Sequence, residues 1–327
     1  MLNRTAEALF WIGRYLERAE NHARLIDVYY HSQQDEYLKS EELAADQHSD
    51  KWKRMVEALG SRASFEQVYG HYKEQTVFFY ITLDRDNPNS LVSCINHARD
   101  NLRTLREQAP TEMWEVLNGF YLWLREQRSD GVLKESPHQF LSQIKNWCNM
   151  FYGCAYSVMP RQNEWYFIEC GRYLERAENT LRILHAVQPS LAANAASSSE
   201  SYMYLQAVLK SMSGYQAYRR VYADSISVER ILEFVILNPS FPRSVHYAFH
   251  QLIEHIRSLE LNDKSLKIAH ERIVRQISKL IAELDCIEVA ELTCETKDEL
   301  TNRLLQSCSW IGSELGKTFF LVGEVSA

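Results

Sequence analysis

The sequence predicts an all-α protein, a helical bundle made of two tandem, pseudo-symmetric repeats. Three observations carry that prediction. Turn-forming residues are scarce, with 11 glycines and 7 prolines among 327 residues, so the elements are long and the tight turns few. Apolar residues recur at steps of three and four along most of the chain, the period of a helix with one buried face. The string GRYLERAEN occurs twice, at 13–21 and again at 171–179.

From the N-terminus, Leu9, Ile12, Leu16, Ala19, Ala23 and Ile26 form the first apolar stripe. His31–Asp50 is polar and acidic and reads as a loop or a weakly packed helix. Asp84–Ser90 is a turn, and Asn89 or Ser90 can cap the next helix by accepting a backbone N–H. That helix carries Leu91, Ile95, Ala98, Leu102 and Leu105 on one face. Ser129–Pro137 reads as a loop, and Pro189–Ser201 as the most linker-like stretch, with Ser199 or Ser201 able to cap a helix beginning there. Ile231, Phe234, Val235 and Leu237 make a third stripe, ended by Asn238-Pro239 and Phe241-Pro242. After a short connection at Asn262–Asp263, Val274, Ile277, Leu280, Ile281 and Leu284 make a fourth.

The repeat extends beyond the signature. The two copies of GRYLERAEN stand 158 positions apart, and Arg24 and Arg182 lengthen the match. Tyr80–Leu83 and Asn87–Leu91 align with Phe234–Leu237 and Phe241–Val245 at an offset of 154. Leu141, Trp147, Gly153 and Tyr156 align with Leu304, Trp310, Gly316 and Phe319 at 163. Small loop insertions account for the drift. The expected units are 1–160 and 161–327, packed together as one globular body because a unit of this kind covers its neighbour's apolar face. The signature helices are expected near a pseudo-two-fold axis.

Composition narrows the function classes. With 46% hydrophobic and 24% charged residues a sizeable core forms. The net charge of −7, with no basic domain or stripe, argues against a nucleic-acid partner. No run approaches the length of a membrane span. The N-terminus lacks the apolar core and cleavage site of a signal peptide. The expected location is therefore the cytoplasm, with no membrane partner. The seven cysteines show no C-x-x-C spacing and read as free, buried thiols.

Within the signature, Arg14, Glu17, Arg18 and Asn21 share a helix face, as do Arg172, Glu175, Arg176 and Asn179, with Glu20 and Glu178 on the flanks. Gly13 and Gly171 each open a gap beside that face. Glycine inside a helix costs about 1 kcal/mol against alanine, so its presence in both copies points to close backbone approach. Exposed charge pairs are worth only ~0.2–0.5 kcal/mol each, too little to explain the match. Three readings are open: a buried Arg–Glu network at the repeat interface, a site for an anion or peptide, or a docking surface. The candidate residues are Arg14, Glu17, Arg18, Glu20, Arg172, Glu175, Arg176 and Glu178, with Asn87 and Arg243 from the aligned turns.

Other constellations are weaker. His246, His250 and Glu254 share a helix face beside His255, but H-E-x-x-H is absent, so a structural histidine face is expected. The only Glu-x-x-His is Glu135–His138, in an expected loop, which argues against a di-iron centre. The tyrosine- and phenylalanine-rich segments at 65–80 and 202–222 fall at helical spacing and read as core, with stacking on Arg219 and Arg220 as the alternative. No Walker A, G-x-G-x-x-G or G-x-S-x-G motif occurs. The expectation is no metal, no cofactor and no catalytic group, which tilts the chain away from enzymes.

The segments AEALFWIGRYLERAENHARLI at the N-terminus, 84–118, GRYLERAENTLRIL from 171 and LNPSFPRSV at 237–245 together resemble the bacterial Alpha-E family, a helical domain with an E-R motif, here Glu17-Arg18 and Glu175-Arg176. The resemblance covers essentially the whole chain. It implies a non-catalytic partner of a circularly permuted ATP-grasp protein in an amide- or peptide-ligase system, with a transglutaminase-like protein as a further partner. The role implied is interaction or substrate presentation. The alternative is an enzyme or ligand-binding protein whose site is built from the paired Arg/Glu faces. One departure stands out: Glu169 and Cys170 occupy the places of Trp11 and Ile12, so a fully symmetric double site is not expected.

Overall fold

A computed structural model describes residues 3–36, 52–193, 199–223, 226–288 and 296–320. All regular structure among these residues is helical. Two long helices, α1 (Asn3–Glu36) and α9 (Asn163–Ala193), form the central pair and bury the GRYLERAEN stretches against each other. The first apolar stripe is wholly interior, with Ile12, Leu16, Ala19, Ala23 and Ile26 at 0% exposure. On α9, Ile168, Leu174, Ala177 and Leu181 do the same.

Around α1 pack α5 (Leu91–Thr104) and α8 (Pro137–Val158), and α6 (Thr111–Arg125) touches both. Around α9 pack α13 (Val245–Arg257) and α15 (Thr296–Leu315), and α14 (Lys264–Cys286) touches both. Shorter helices line the periphery: α2 (52–58), α3 (Arg62–Val68), α4 (Glu74–Thr82), α7 (Ser129–Glu135), α10 (Ser199–Ser211), α11 (Tyr215–Tyr222) and α12 (Val228–Leu232). No helix among the described residues is long and apolar enough to cross a membrane.

Local chemistry fixes the helix starts nearest the central pair. Ser90 accepts from Ser93 N at 3.2 Å and caps α5, while Ser244 accepts from Tyr247 N at 3.0 Å and caps α13. Asp263 caps α14 by accepting from Ser265 N and Leu266 N.

Several expected loops differ. Ser129–Pro137 contains a short helix, because Val132 buries against the core and Ser136 with Pro137 supplies a clean start for α8. In the linker-like segment, residues 189–193 continue α9 and 199–201 begin α10; residues 194–198 lie outside the described set. Of His31–Asp50, 31–36 complete α1, and 37–50 lie outside the described residues. The stripe from Ile231 loosens into a π-helical turn over Glu233–Leu237, which keeps Phe234, Val235 and Ile236 buried together.

Candidate functional site: the arginine–glutamate layer between α1 and α9

The signature glycines set the spacing. A Cβ on Gly13 would lie 2.0 Å from the Ile168 carbonyl oxygen and 2.9 Å from Arg172 N. A Cβ on Gly171 would lie 2.0 Å from the Phe10 carbonyl oxygen and 3.1 Å from Arg14 N. The contact is reciprocal and runs backbone to backbone, so neither position has room for even a methyl group. Further along, contacts advance in step on both helices, from Phe10 with Gly171 to Glu17 with Arg176. The helices therefore run in the same direction.

That approach brings the charged faces together. Glu17 is fully buried and accepts from Arg176 Nε at 2.8 Å and Nη2 at 2.7 Å, a bidentate pair. Asn21 and Arg243 also donate to it, at 3.2 and 3.3 Å. Glu175, equally buried, accepts from Arg18 Nε at 2.7 Å and Nη2 at 3.0 Å. Arg14 Nε stands 2.6 Å from Glu175, and its Nη2 donates to Glu178 at 2.7 Å. Glu178 also receives Arg182, while Glu20 receives Arg24 at 2.5 Å and Arg243 at 2.7 Å. Arg172 is the exception: its Nε lies 3.6 Å from Glu17, and its Nη1 reaches only Glu169, at 3.3 Å.

The electrostatics follow from burial and partner count. Burial by itself pushes Glu17 up, but Arg176, Arg243 and Arg172 outweigh it and hold the carboxyl well below the usual range. For Glu175 the same contest, with Arg14 and Arg18 as the cations, ends at about 2. Both carboxylates are ionised and committed. His22 is buried beside them and pushed down to about 3, first by burial and then by Arg18. Guanidiniums (Arg14, Arg18, Arg24, Arg172, Arg176, Arg182, Arg243) outnumber carboxylates (Glu17, Glu20, Glu169, Glu175, Glu178) in the layer.

Of the sequence-predicted residues, Asn87 stands apart. It is buried in the turn before α5, where its amide donates to Tyr80 O at 2.8 Å and its Oδ1 accepts from Asn89 N. The residue that reaches the layer is Asn89, whose Oδ1 accepts from Arg18 Nη1 at 2.8 Å. Asn89 aligns with Arg243, and both sit just before a capping serine. The signal for Asn89 is thus present in the match between the two turns, a short step from Asn87.

On the histidine face, the carboxylate near His246 and His250 is Asp285 of α14, with candidate ligand atoms within 4.8 Å of one another. His246 Nε2 and Asp285 Oδ1 are 2.7 Å apart, a hydrogen-bond distance. Two ligands around one metal at ~2.0–2.1 Å would stand farther apart than this. Of the cysteines, Cys94, Cys148, Cys170 and Cys308 are free and buried, Cys154 is half-buried, and Cys286 is exposed; Cys294 lies outside the described residues. Burial pushes the Cys94 thiol up to about 12, leaving it an inert thiol. In the aromatic segments, Phe65 stacks with Tyr69 and Tyr72.

A family model, Alpha-E, described as a predicted alpha-helical domain with a conserved ER motif, matches residues 1–320. Among curated proteins, the chain is 23% identical over 310 residues to the uncharacterized protein Mb2597 of Mycobacterium bovis, covering 89% of this chain and 34% of that one. It is 22% identical over 310 residues to the uncharacterized protein Rv2567 of Mycobacterium tuberculosis, with the same coverage. The chain therefore spans about a third of the length of these relatives. No solved structure matches it.

Proposed function

The chain belongs to the Alpha-E family, and on that premise we propose that it is the helical, non-catalytic partner of a circularly permuted ATP-grasp ligase, presenting substrate or holding the assembly together in the cytoplasm. The observation that carries this reading is the coverage: the same unit forms a third of a longer polypeptide in the mycobacterial relatives, as expected of a module that works joined to other domains. The Arg–Glu layer supports it from the other side. Its carboxylates are taken by arginines of the same chain, so it acts as a rigid internal frame.

The direct test is co-elution with the ATP-grasp protein at micromolar concentration. A stable complex is expected, and two proteins that elute apart would refute the reading. A transglutaminase-like protein is the second partner to try.

We further infer that the chain arose by doubling, since α1, α5, α6 and α8 correspond in order and packing to α9, α13, α14 and α15. Residues 1–160 and 161–327 produced as separate chains should then co-purify. Halves that are each stable and ignore one another would overturn that inference.

The alternative, a ligand site made of the paired faces, is favoured by the looser pairing of Arg172, which stands 3.6 Å from Glu17 and 3.3 Å from Glu169.

A further inference from the structure

Arg14 and Arg172 hold the same place in the two signature stretches but not the same bonds. Arg14 is seated on Glu175 and Glu178, at 2.6 and 2.7 Å. The matching carboxylates for Arg172 are Glu17 and Glu20. Arg176 and Arg243 occupy Glu17, and Arg24 and Arg243 occupy Glu20. Arg243 is the cause. Its counterpart in the first half is Asn89, which carries no charge, so Arg14 reaches Glu175 beside Arg18 and Glu178 beside Arg182. A second change accompanies the first. Trp11 stacks on Tyr15 with centroids 5.3 Å apart and lies beside Arg14. In the second half Glu169 stands in that place, and a cavity of about 400 Å³ opens over Glu169 and Arg172. That volume falls in the range of small-molecule pockets, roughly 300–1,000 Å³.

The floor of the cavity is polar and under-satisfied. Glu169 is 3% exposed, and among the described residues its one hydrogen-bond donor is Arg172 Nη1, at 3.3 Å. His255 Nε2 lies 3.9 Å from Glu169, beyond bonding range, with its ring stacked on Tyr173. Burial, aided by Arg172 and Arg161, pushes His255 down to about 4, so it is neutral at pH 7. Arg172 Nε lies 3.6 Å from Glu17 and, like Arg14 Nε, makes no hydrogen bond. One wall is aromatic, and Gln251, Glu254 and Ser258 of the α13 region line the other. Arg172 lies 3.9 Å over the Tyr152 ring, and Arg161 is clamped between Tyr156 and Trp165 at 4.5 and 4.1 Å. Backbone carbonyls of Met159 and Tyr156 hold the Arg161 guanidinium in place.

One buried carboxylate short of donors, two fixed guanidiniums and an aromatic wall together describe a complement. We infer that the cavity beside Glu169 and Arg172 binds a zwitterionic α-amino acid with a bulky apolar side chain. Its ammonium is held by Glu169, its carboxylate by Arg172 and Arg161, and its side chain lies against Tyr152, Trp165 and Tyr173. Both charges are needed. A bare anion leaves Glu169 unsatisfied, and a bare cation is repelled by the two guanidiniums beside it. The inference does not depend on docking to a ligase, because it is tested on this chain alone.

The test is calorimetric titration of the full chain with L-phenylalanine, L-tyrosine, L-tryptophan and L-leucine. N-acetyl-L-phenylalanine and L-phenylalaninamide serve as arms that each lack one charge. Saturable one-to-one binding of at least one free amino acid is expected, weakened about tenfold or more by removing either charge. Unimpaired binding of the amide would mean that the carboxylate contact is wrong and would overturn the proposal, as would no binding of any free amino acid at millimolar concentration. Glu169→Gln, which keeps the side chain's shape, should weaken binding by a similar factor. Glu169→Trp, which restores the first half's residue, should fill the cavity and abolish binding while helical content by circular dichroism stays unchanged. Retained affinity in either variant overturns the assignment.

Discussion

Replacing Gly13 by alanine tests the frame of the molecule directly. The new Cβ would lie 2.0 Å from the Ile168 carbonyl oxygen. A carbon–oxygen contact settles near ~3.3 Å, so α1 and α9 must part by more than about 1 Å. Parting is resisted by the neighbours of each helix, α5 and α8 on α1 and α13 and α15 on α9. The ion pairs a turn further on stand at 2.6–2.8 Å, and an added ångström takes them past hydrogen-bond range. Overpacking costs ~1–3 kcal/mol, and each charge-assisted bond lost costs ~1.5–3 kcal/mol. Alanine's helix preference returns about 1 kcal/mol. With the equivalent of one such bond lost, the net expectation is about 1.5–5 kcal/mol of destabilisation, read as a lowered urea midpoint at constant m-value. Gly171→Ala should match it, since its Cβ meets the Phe10 carbonyl oxygen at the same distance. Gly153→Ala is the control: nothing lies within 4 Å of its Cβ, so it should be neutral or stabilising by up to about 1 kcal/mol. If Gly13→Ala unfolds at the wild-type midpoint, the close approach of the two helices is wrong.

Glu17→Gln removes the anionic partner of a buried guanidinium pair and should destabilise by about 3–5 kcal/mol in the same assay; a loss below 1 kcal/mol would mean that Arg176 is hydrated. Acidification should act in two steps. His22 and His255 are depressed in the folded state, to about 3 and about 4, so their contribution is whole above the ordinary value near 6.5 and is lost as pH falls toward those values. Glu175, depressed to about 2, adds its loss only below about 4.5. Glu169, raised by burial, works the other way and gains as pH falls. The thermal midpoint should therefore start to drop below pH 6.5, and His22→Gln should flatten that first limb. A midpoint constant from pH 7 to 5 contradicts the buried, neutral His22. Ser90→Ala and Ser244→Ala should each cost about 1 kcal/mol through loss of an N-cap, which chemical denaturation resolves. No change in either would show that the caps are dispensable.

The central pair was legible in the sequence because its information is local. Nine identical residues with a glycine one step from an Arg/Glu face state both a close approach and what lies beside it. The serine caps were legible for the same reason, since Ser90 needs only its own next turn. The illegible features depend on neighbours far along the chain. The sequence points to Asn87 where Asn89 acts, because the turn aims one side chain inward at Tyr80 O and the other outward at Arg18, and the strings DRDNPNS and LNPSFPRSV do not say which. Asp285 meets His246 only because α14 folds back over α13. The short helix at Ser129–Glu135 forms around glycine-bearing sequence because the core receives Val132. Glu169 in place of Trp11 was visible as a departure from symmetry, but its consequence, an open cavity, required knowing which rings surround it.

A buried ion network is a poor source of net stability, since desolvating each charge costs several kcal/mol that the pairing roughly repays. An apolar seam between α1 and α9 would hold as well. What the network supplies is orientation: bidentate guanidiniums admit few geometries, and two such pairs, Arg18 on Glu175 and Arg176 on Glu17, lock the rotation of each helix about its axis. A frame of that kind makes asymmetry informative. With the other arginines of the layer fixed, Arg243 takes up Glu17 and Glu20, and Arg172 stands off at 3.6 Å from Glu17. Glu169, which aligns with Trp11, leaves space in front of that same side chain. Both of these differences therefore fall on Arg172, the guanidinium that lies beside the buried carboxylate of Glu169.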